Sequence, residues 1–177
     1  MNDARLALGL IGAAAHGDLD ALRLFLDEGA DPNGDDAEAL CVGAQEGQLE
    51  AVRVLLAHGA DVHGQDDMPL RLASLGGHAD VVRLLLERGA RADAHDNDAI
   101  GLAAEHGHLA VVRLLADHGA DPAARDHALA TVVAARGHLE VLRELARRGL
   151  DVHAHNRNAL RVAQREGHRD VVEFLSR

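Results

Sequence analysis

The sequence predicts an all-α fold of stacked antiparallel helix pairs, and three observations carry that prediction. Glycine recurs every thirty residues in two phases: Gly17, Gly47, Gly77, Gly107, Gly137 and Gly167 form one series, and Gly29, Gly59, Gly89, Gly119 and Gly149 form another, twelve residues behind. A fixed period of this kind marks units that bury their apolar faces only against their neighbours. Between the glycines, apolar residues fall at spacings of three and four, which makes one buried helix face. The apolar content is mainly Ala, Leu and Val, with 1% aromatic residues and no Trp or Tyr, and this suits closely packed helices.

Each unit reads the same way. From Gly77 to Gly89, Val81, Val82, Leu84, Leu85 and Leu86 are apolar while Asp80, Arg83, Glu87 and Arg88 are polar. The trailing glycine supplies the left-handed residue that ends a helix. Upstream, Leu70, Leu72 and Ala73 head a shorter helix that stops at Gly77. The first pair spans 3–27 and turns at Gly17, the second 37–57 at Gly47, and the third 67–87 at Gly77. The fourth spans 97–117 and turns at Gly107, the fifth 127–147 at Gly137, and the sixth 157–177 at Gly167. With their loops they form repeats of about 3–36, 37–66, 67–96, 97–126, 127–156 and 157–177, expected to make one array over 1–177 with no linker or second domain.

The register holds in columns. Val52, Val82, Val112, Leu142 and Val172 share one position, and Leu55, Leu85, Leu115, Leu145 and Leu175 share another. In the fifth unit Ala130 stands where the others have Leu40, Leu70, Ile100 and Leu160, while Val133 replaces the usual Ala73 or Ala103. One side chain shrinks and a neighbour grows, which conserves core volume. In the last helix Arg169 and Ser176 replace leucines, the polar outer face expected where an array ends. The array is therefore expected to be complete.

Composition limits the function. The net charge of −11 leaves no basic patch for nucleic acid, and the scarcity of aromatics leaves little for ligand pockets or base stacking. The single Cys41 rules out an internal disulfide. The N-terminus lacks a basic region followed by an apolar run, and no stretch reaches eighteen apolar residues. A cytoplasmic protein with no membrane span is expected.

Met68-Pro69-Leu70-Arg71-Leu72-Ala73, then Gly77-His78-Ala79-Asp80-Val81-Val82-Arg83-Leu84-Leu85-Leu86, then Gly89-Ala90, resembles one ankyrin repeat. Gly107-His108-Leu109-Ala110-Val111-Val112-Arg113-Leu114-Leu115, followed by Gly119-Ala120-Asp121-Pro122, is similar to the same unit. The usual unit has about 33 residues and a Thr-Pro-Leu-His signature. Here the period is 30, the signature His column reads Ile11, Cys41, Arg71, Gly101, Thr131 and Arg161, and only Pro69 keeps the signature proline. The missing residues fall where ankyrin repeats project a β-hairpin finger. The resemblance therefore implies a short-loop ankyrin-type solenoid with little or no strand.

Thirteen histidines invite a metal reading. His78, His108, His138 and His168 occupy the position of the family's structural histidine, which bonds backbone between helices. His63 and His153 share a column three units apart, and His95 and His155 two units apart. At the ~10 Å spacing of packed helices such pairs stand about 20–30 Å apart, too far for a shared metal. The remaining histidine candidate is His153-Ala154-His155 with His127, and no metal or cofactor is expected. Titration of thirteen histidines would raise the charge from −11 toward about +2, so binding or solubility is expected to vary between roughly pH 5 and 7.

Catalytic constellations are missing. Serine occurs only at Ser74 and Ser176, Cys41 reads as a small structural thiol, and Asp18, Asp31, Asp61, Asp80 and Asp121 sit where carboxylates cap or solvate turns. A non-enzyme is expected.

Charge is uneven: residues 1–126 carry 9 Arg against 23 acidic residues, a net of −14, and residues 127–177 carry 9 Arg against 6, a net of +3. The resemblance implies protein binding on a concave face, through the ends of the first helices and the loops. Mapped by column, the helix ends supply His16, Gln45, Glu46, Leu75, Glu105, His106, Arg136 and Arg165. The loops add Asp35, Asp36, Asp66, Asp67, Asp96, Asp98, Asp126 and, at the basic end, Arg157. Leu75 beside Gly76 is an apolar break that could seat an anchor residue. The reading is a non-catalytic, monomeric module for a partner with a basic contact surface, of an inhibitor or immunity type. The alternative is a small-molecule- or metal-binding repeat protein using the loop histidines. Reversing charge at Asp66, Asp67, Asp96 and Asp98 is expected to abolish binding and spare folding.

Overall fold

The computed structural model describes the backbone of residues 2–124 and 128–177, and the side chains of all of these except Asn2, Asp3, His155 and Asn156. Two compact units divide the chain, Met1–Arg91 and Ala92–Arg177. Every described element is a helix or a turn. The first unit holds α1 (Asn2–His16), α2 (Leu19–Asp27), α3 (Gly34–Gln45), α4 (Leu49–Ala57), α5 (Gly64–Gly76) and α6 (Ala79–Glu87). The second holds α7 (Ala94–Glu105), α8 (Leu109–Asp117), α9 (Ala128–Ala135), α10 (Leu139–Arg147), α11 (Ala154–Glu166) and α12 (Arg169–Leu175). These are the predicted pairs, and the described residues contain no strand.

Glycine spacing sets the turns. Gly17, Gly47 and Gly77 have φ of 68°, 69° and 75°, where a Cβ would clash with the backbone, so each first helix stops there and the second starts two residues on. Leu22, Val52, Val82, Val112 and Leu142 lie fully buried, as do Leu55, Leu85, Leu115 and Leu145, while Val172 is half-buried. Ala130 and Val133 are both buried, as the volume exchange in the fifth unit requires. Burial of each such leucine or valine is worth about 1.5–3 kcal/mol, which is why nine-residue helices too short to stand alone persist here.

The second helices lack the usual side-chain cap, apart from Asp18, which accepts from Ala21 N at 3.0 Å. At the equivalent position in the next repeats the side chain reaches back to the preceding pair instead. Gln48 Nε2 donates to the Ala15 carbonyl at 3.3 Å, and His78 Nε2 to the Gln45 carbonyl at 2.8 Å. In the second unit His168 Nε2 donates to the Ala135 carbonyl at 2.9 Å, and His138 is bonded to the Glu105 backbone. His78, His138 and His168 of the Gly-His turns thus each tie one repeat to the one before.

Three first helices open on an unexpected feature. Residues 35–37, 65–67 and 95–97 all have positive φ, between 49° and 64°, so each helix begins with a left-handed turn before the right-handed helix starts. Nothing in the apolar period signals this. Each such residue costs roughly 1–2 kcal/mol unless its side chain bonds locally, so something must hold it.

Candidate binding surface

The predicted contact residues lie on two kinds of support. His16, Gln45 and Leu75 belong to the last turns of α1, α3 and α5, and Glu46 caps the end of α3. His16 is exposed and its Nδ1–H donates to the Gly12 carbonyl at 2.8 Å, closing the helix end. Gln45 and Glu46 are exposed and bonded to each other, Nε2 to Oε1 at 3.2 Å. Leu75 is half-buried. The glycine beside it is explained by packing: a Cβ at Gly76 would come within 2.5 Å of His78 Nε2 and 3.2 Å of the Gln45 carbonyl oxygen. Gly76 therefore makes room for the His78 bond.

The left-handed turns are the second support. Asp35 and Asp36, then Asp66, then His95 and Asp96 stand exposed on them. Asp67 does not, and here the sequence reading is corrected. Its carboxylate is fully buried, accepting from the Arg91 backbone N–H at 3.0 Å, from Arg91 Nε at 3.1 Å and Nη2 at 3.0 Å, and from His63 Nδ1 at 2.9 Å. Burial alone would raise its pKa, but the backbone N–H of Arg91, the His63 imidazole and the Arg91 guanidinium together hold it below the ordinary value. Asp67 is thus a clamp between the turn and the loop at Arg91, not a surface contact, and reversing its charge would not spare folding. The signal in the sequence was its column: Asn97 stands thirty residues on, and Asp and Asn are the residues that tolerate a left-handed backbone. Asn97 is buried too, with Oδ1 accepting from Asp121 N at 2.7 Å. In the first loop Ala37 fills that column and cannot accept, and Asn33 Oδ1 takes the Asp61 N–H instead at 2.6 Å.

The second unit brings three predicted residues together. Asp98 and Glu105 border a shallow cleft of about 240 Å3 floored by Leu102, Leu129 and Val132, and Arg136 is ion-paired to Glu105. His106 is exposed, bonded through Nδ1 to the Leu102 carbonyl at 3.0 Å, with its ring stacked on that of His108 at 6.2 Å between centroids. Arg157 is exposed at φ 59°, and Arg165 is exposed and ion-paired to Glu166 at 2.8 Å. Asp126 lies outside the described residues.

Glu144 went unremarked in the sequence. It occupies a column that otherwise reads Leu24, Val54, Leu84, Leu114 and Phe174, and it is buried on α10. Arg148 Nε at 3.0 Å, Arg113 Nε at 3.3 Å and Arg147 Nη1 at 2.7 Å surround it. The Arg148 hydrogen bond leads, against burial, in holding its pKa low. Arg113 is available because Ala110 stands where Glu50 and Glu140 pair with Arg53 and Arg143 three residues on.

Burial, with Glu38 and Asp36 adding to it, pushes the Cys41 thiol up to about 12, so it holds its proton at neutral pH. Among the described residues no three His, Cys, Asp or Glu side chains converge on a metal position. The His153–His155 candidate with His127 falls partly outside them. No helix among the described residues is long and apolar enough to cross a membrane.

Comparison with known proteins places this geometry. A family described as "Ankyrin repeats (3 copies)" matches residues 63–126, and one described as "Ankyrin repeats (many copies)" matches residues 39–86. The crystal structure of the human ASB11 ankyrin repeat domain is similar, with a TM-score of 0.83 and 25% identity, over 94% of this chain and 81% of that one. No curated protein sequence matches. The all-α repeat expected from the glycine period is the fold of those arrays.

Proposed function

We propose that this chain, which belongs to the ankyrin repeat family, is a non-catalytic module that binds a basic protein surface. Ankyrin repeats generally mediate protein–protein interaction. The observation that carries the finer reading is the placement of charge. Acidic residues outnumber arginines 23 to 9 over residues 1–126, and Asp35, Asp36, Asp66 and Asp96 stand exposed on the left-handed turns of successive repeats. Exposed carboxylates at a repeating position accelerate encounter with a basic partner and select against acidic ones. The module would act by covering that surface, as an inhibitor or immunity-type protein does, and as a cytoplasmic monomer with no cofactor.

The test is capture from the producing organism's lysate by wild type and by an Asp36→Lys, Asp66→Lys, Asp96→Lys variant, compared by mass spectrometry. Asp67 is left intact because it is structural. One stoichiometric protein held by wild type in low salt and lost by the variant, with unchanged circular dichroism, is the expected result. A partner held equally by both would refute the acidic surface.

A further inference from the structure

The first unit carries a cleft that differs in kind from the charged turns. The cleft, of about 620 Å3, opens between α1 and the turn after α2, within the 300–1,000 Å3 typical of ligand sites. Ala4, Leu6, Leu8 and Ala30 supply its apolar surface, and Asp31 and Asp35 stand at its edge. Leu8 is 70% exposed, whereas Leu6 and Ala30 are buried and form a firm floor. At the register of Leu8 the later repeats have Glu38, Met68, Asp98, Ala128 and Asn158, so the pattern imposes no leucine there.

From these residues we infer that the cleft is the anchor site for an apolar side chain flanked by arginine or lysine on the partner, an inference that rests on the basic-surface reading above. The complementarity is direct. The cleft is apolar inside and anionic at its edge, and none of the described residues lining it is a cation. Asp31 uses Oδ1 to accept from Asn33 N at 2.9 Å, and its other oxygen remains available to a ligand. Asp35 is exposed, its backbone held at φ 50° in the left-handed turn. An apolar side chain would cover Leu8, and a long cationic neighbour would lay its stem along the wall while its head reaches the carboxylates. An acidic segment is repelled, and a purely polar one leaves Leu8 in water.

The test is an NMR titration of the full chain with a short synthetic peptide carrying Leu-Leu between arginines, beside a control with glutamates in place of the arginines. The arginine peptide is expected to shift Leu6, Leu8, Gly29 and Gly34 saturably, and the control not at all. Leu8→Gln, at an exposed helix position that leaves folding unchanged, is expected to weaken binding about tenfold. Asp31→Asn with Asp35→Asn, which keeps the turn, is expected to weaken it about three- to fivefold and to remove its salt dependence. Shifts unaffected by Leu8→Gln would overturn the inference. So would dimerisation of the wild type that Leu8→Gln abolishes, since the occupant would then be a second copy. Shifts confined to the turns bearing Asp66 and Asp96 would overturn the cleft and leave the broader reading standing. Absence of any shift would overturn the cleft, and the lysate capture would then decide the broader reading separately.

Discussion

The two units solve one local problem with opposite electrostatics. In each, a left-handed turn ends on a buried side chain that accepts the backbone N–H of a residue 24 positions on: Asp67 takes Arg91 N at 3.0 Å, and Asn97 takes Asp121 N at 2.7 Å. In the first unit the charged acceptor has a hydrogen-bond donor and a cation at hand, the His63 imidazole four residues before it and the guanidinium of Arg91 itself. In the second unit the corresponding positions are Asp93 and Asp121, and the acceptor is the neutral amide. The position requires an acceptor that tolerates a left-handed backbone, and its neighbours decide whether that acceptor can carry charge. An unpaired carboxylate there would forfeit solvation with nothing in return.

The most severe test of this comparison is Asn97→Asp, a change of shape so small that packing alone predicts no effect. Beside Asp121 the new carboxylate should cost about 3 kcal/mol at pH 7. Its pKa would be raised on folding, so the loss should disappear below about pH 4, where both folded and unfolded forms are protonated. Adding Asp121→Arg should recover most of it, and urea unfolding of the single and double variants measures both. A single variant as stable as wild type at pH 7 would break the comparison.

Next in size is Asp67→Ala, which deprives the Arg91 N–H and guanidinium of their shared acceptor and should cost about 2–3 kcal/mol. Asp67→Asn, which copies the second unit, should cost only about 1 kcal/mol because Arg91 is 60% exposed and regains water. The pH dependence separates the two roles. The carboxyl of Asp67 is lowered from 3.8 on folding. Its contribution is therefore fully present above that value and is lost as pH falls through the lowered one. Asp67→Asn should remove that acid limb from the stability profile.

The smallest effect is expected at Glu144. It is buried like Asp67, but no backbone N–H depends on it, and its three arginines are 31–59% exposed. Glu144→Leu restores the residue type of its column and should leave stability within about 1 kcal/mol of wild type. A loss as large as that of Asp67→Ala would show that charge burial, not acceptor duty, governs both sites.

Most of the fold was legible because its signals are short-range. Helix faces follow from three- and four-residue spacing, helix ends from Gly17 and Gly29 and their repeats, and the ties from His78 and His168 from a side chain fixed at the turn. The candidate surface was legible only where exposure follows position, as at His16, Gln45, Glu46 and Asp96. It failed at Asp67, where a carboxylate in an apparent loop is buried by a residue 24 positions away. The Leu8 cleft was missed because exposure of an apolar side chain depends on which elements fail to cover it, and that is not a local property of the sequence.

By itself, then, the sequence determined the period, the helix pairs, the buried columns and the excess of acid, because each follows from local chemistry repeated every thirty residues. Tertiary structure alone decided which carboxylates are buried clamps and which stay exposed. Neighbours brought in from the following loop supply or withhold the hydrogen bonds and counter-charges that let an ionised group leave water.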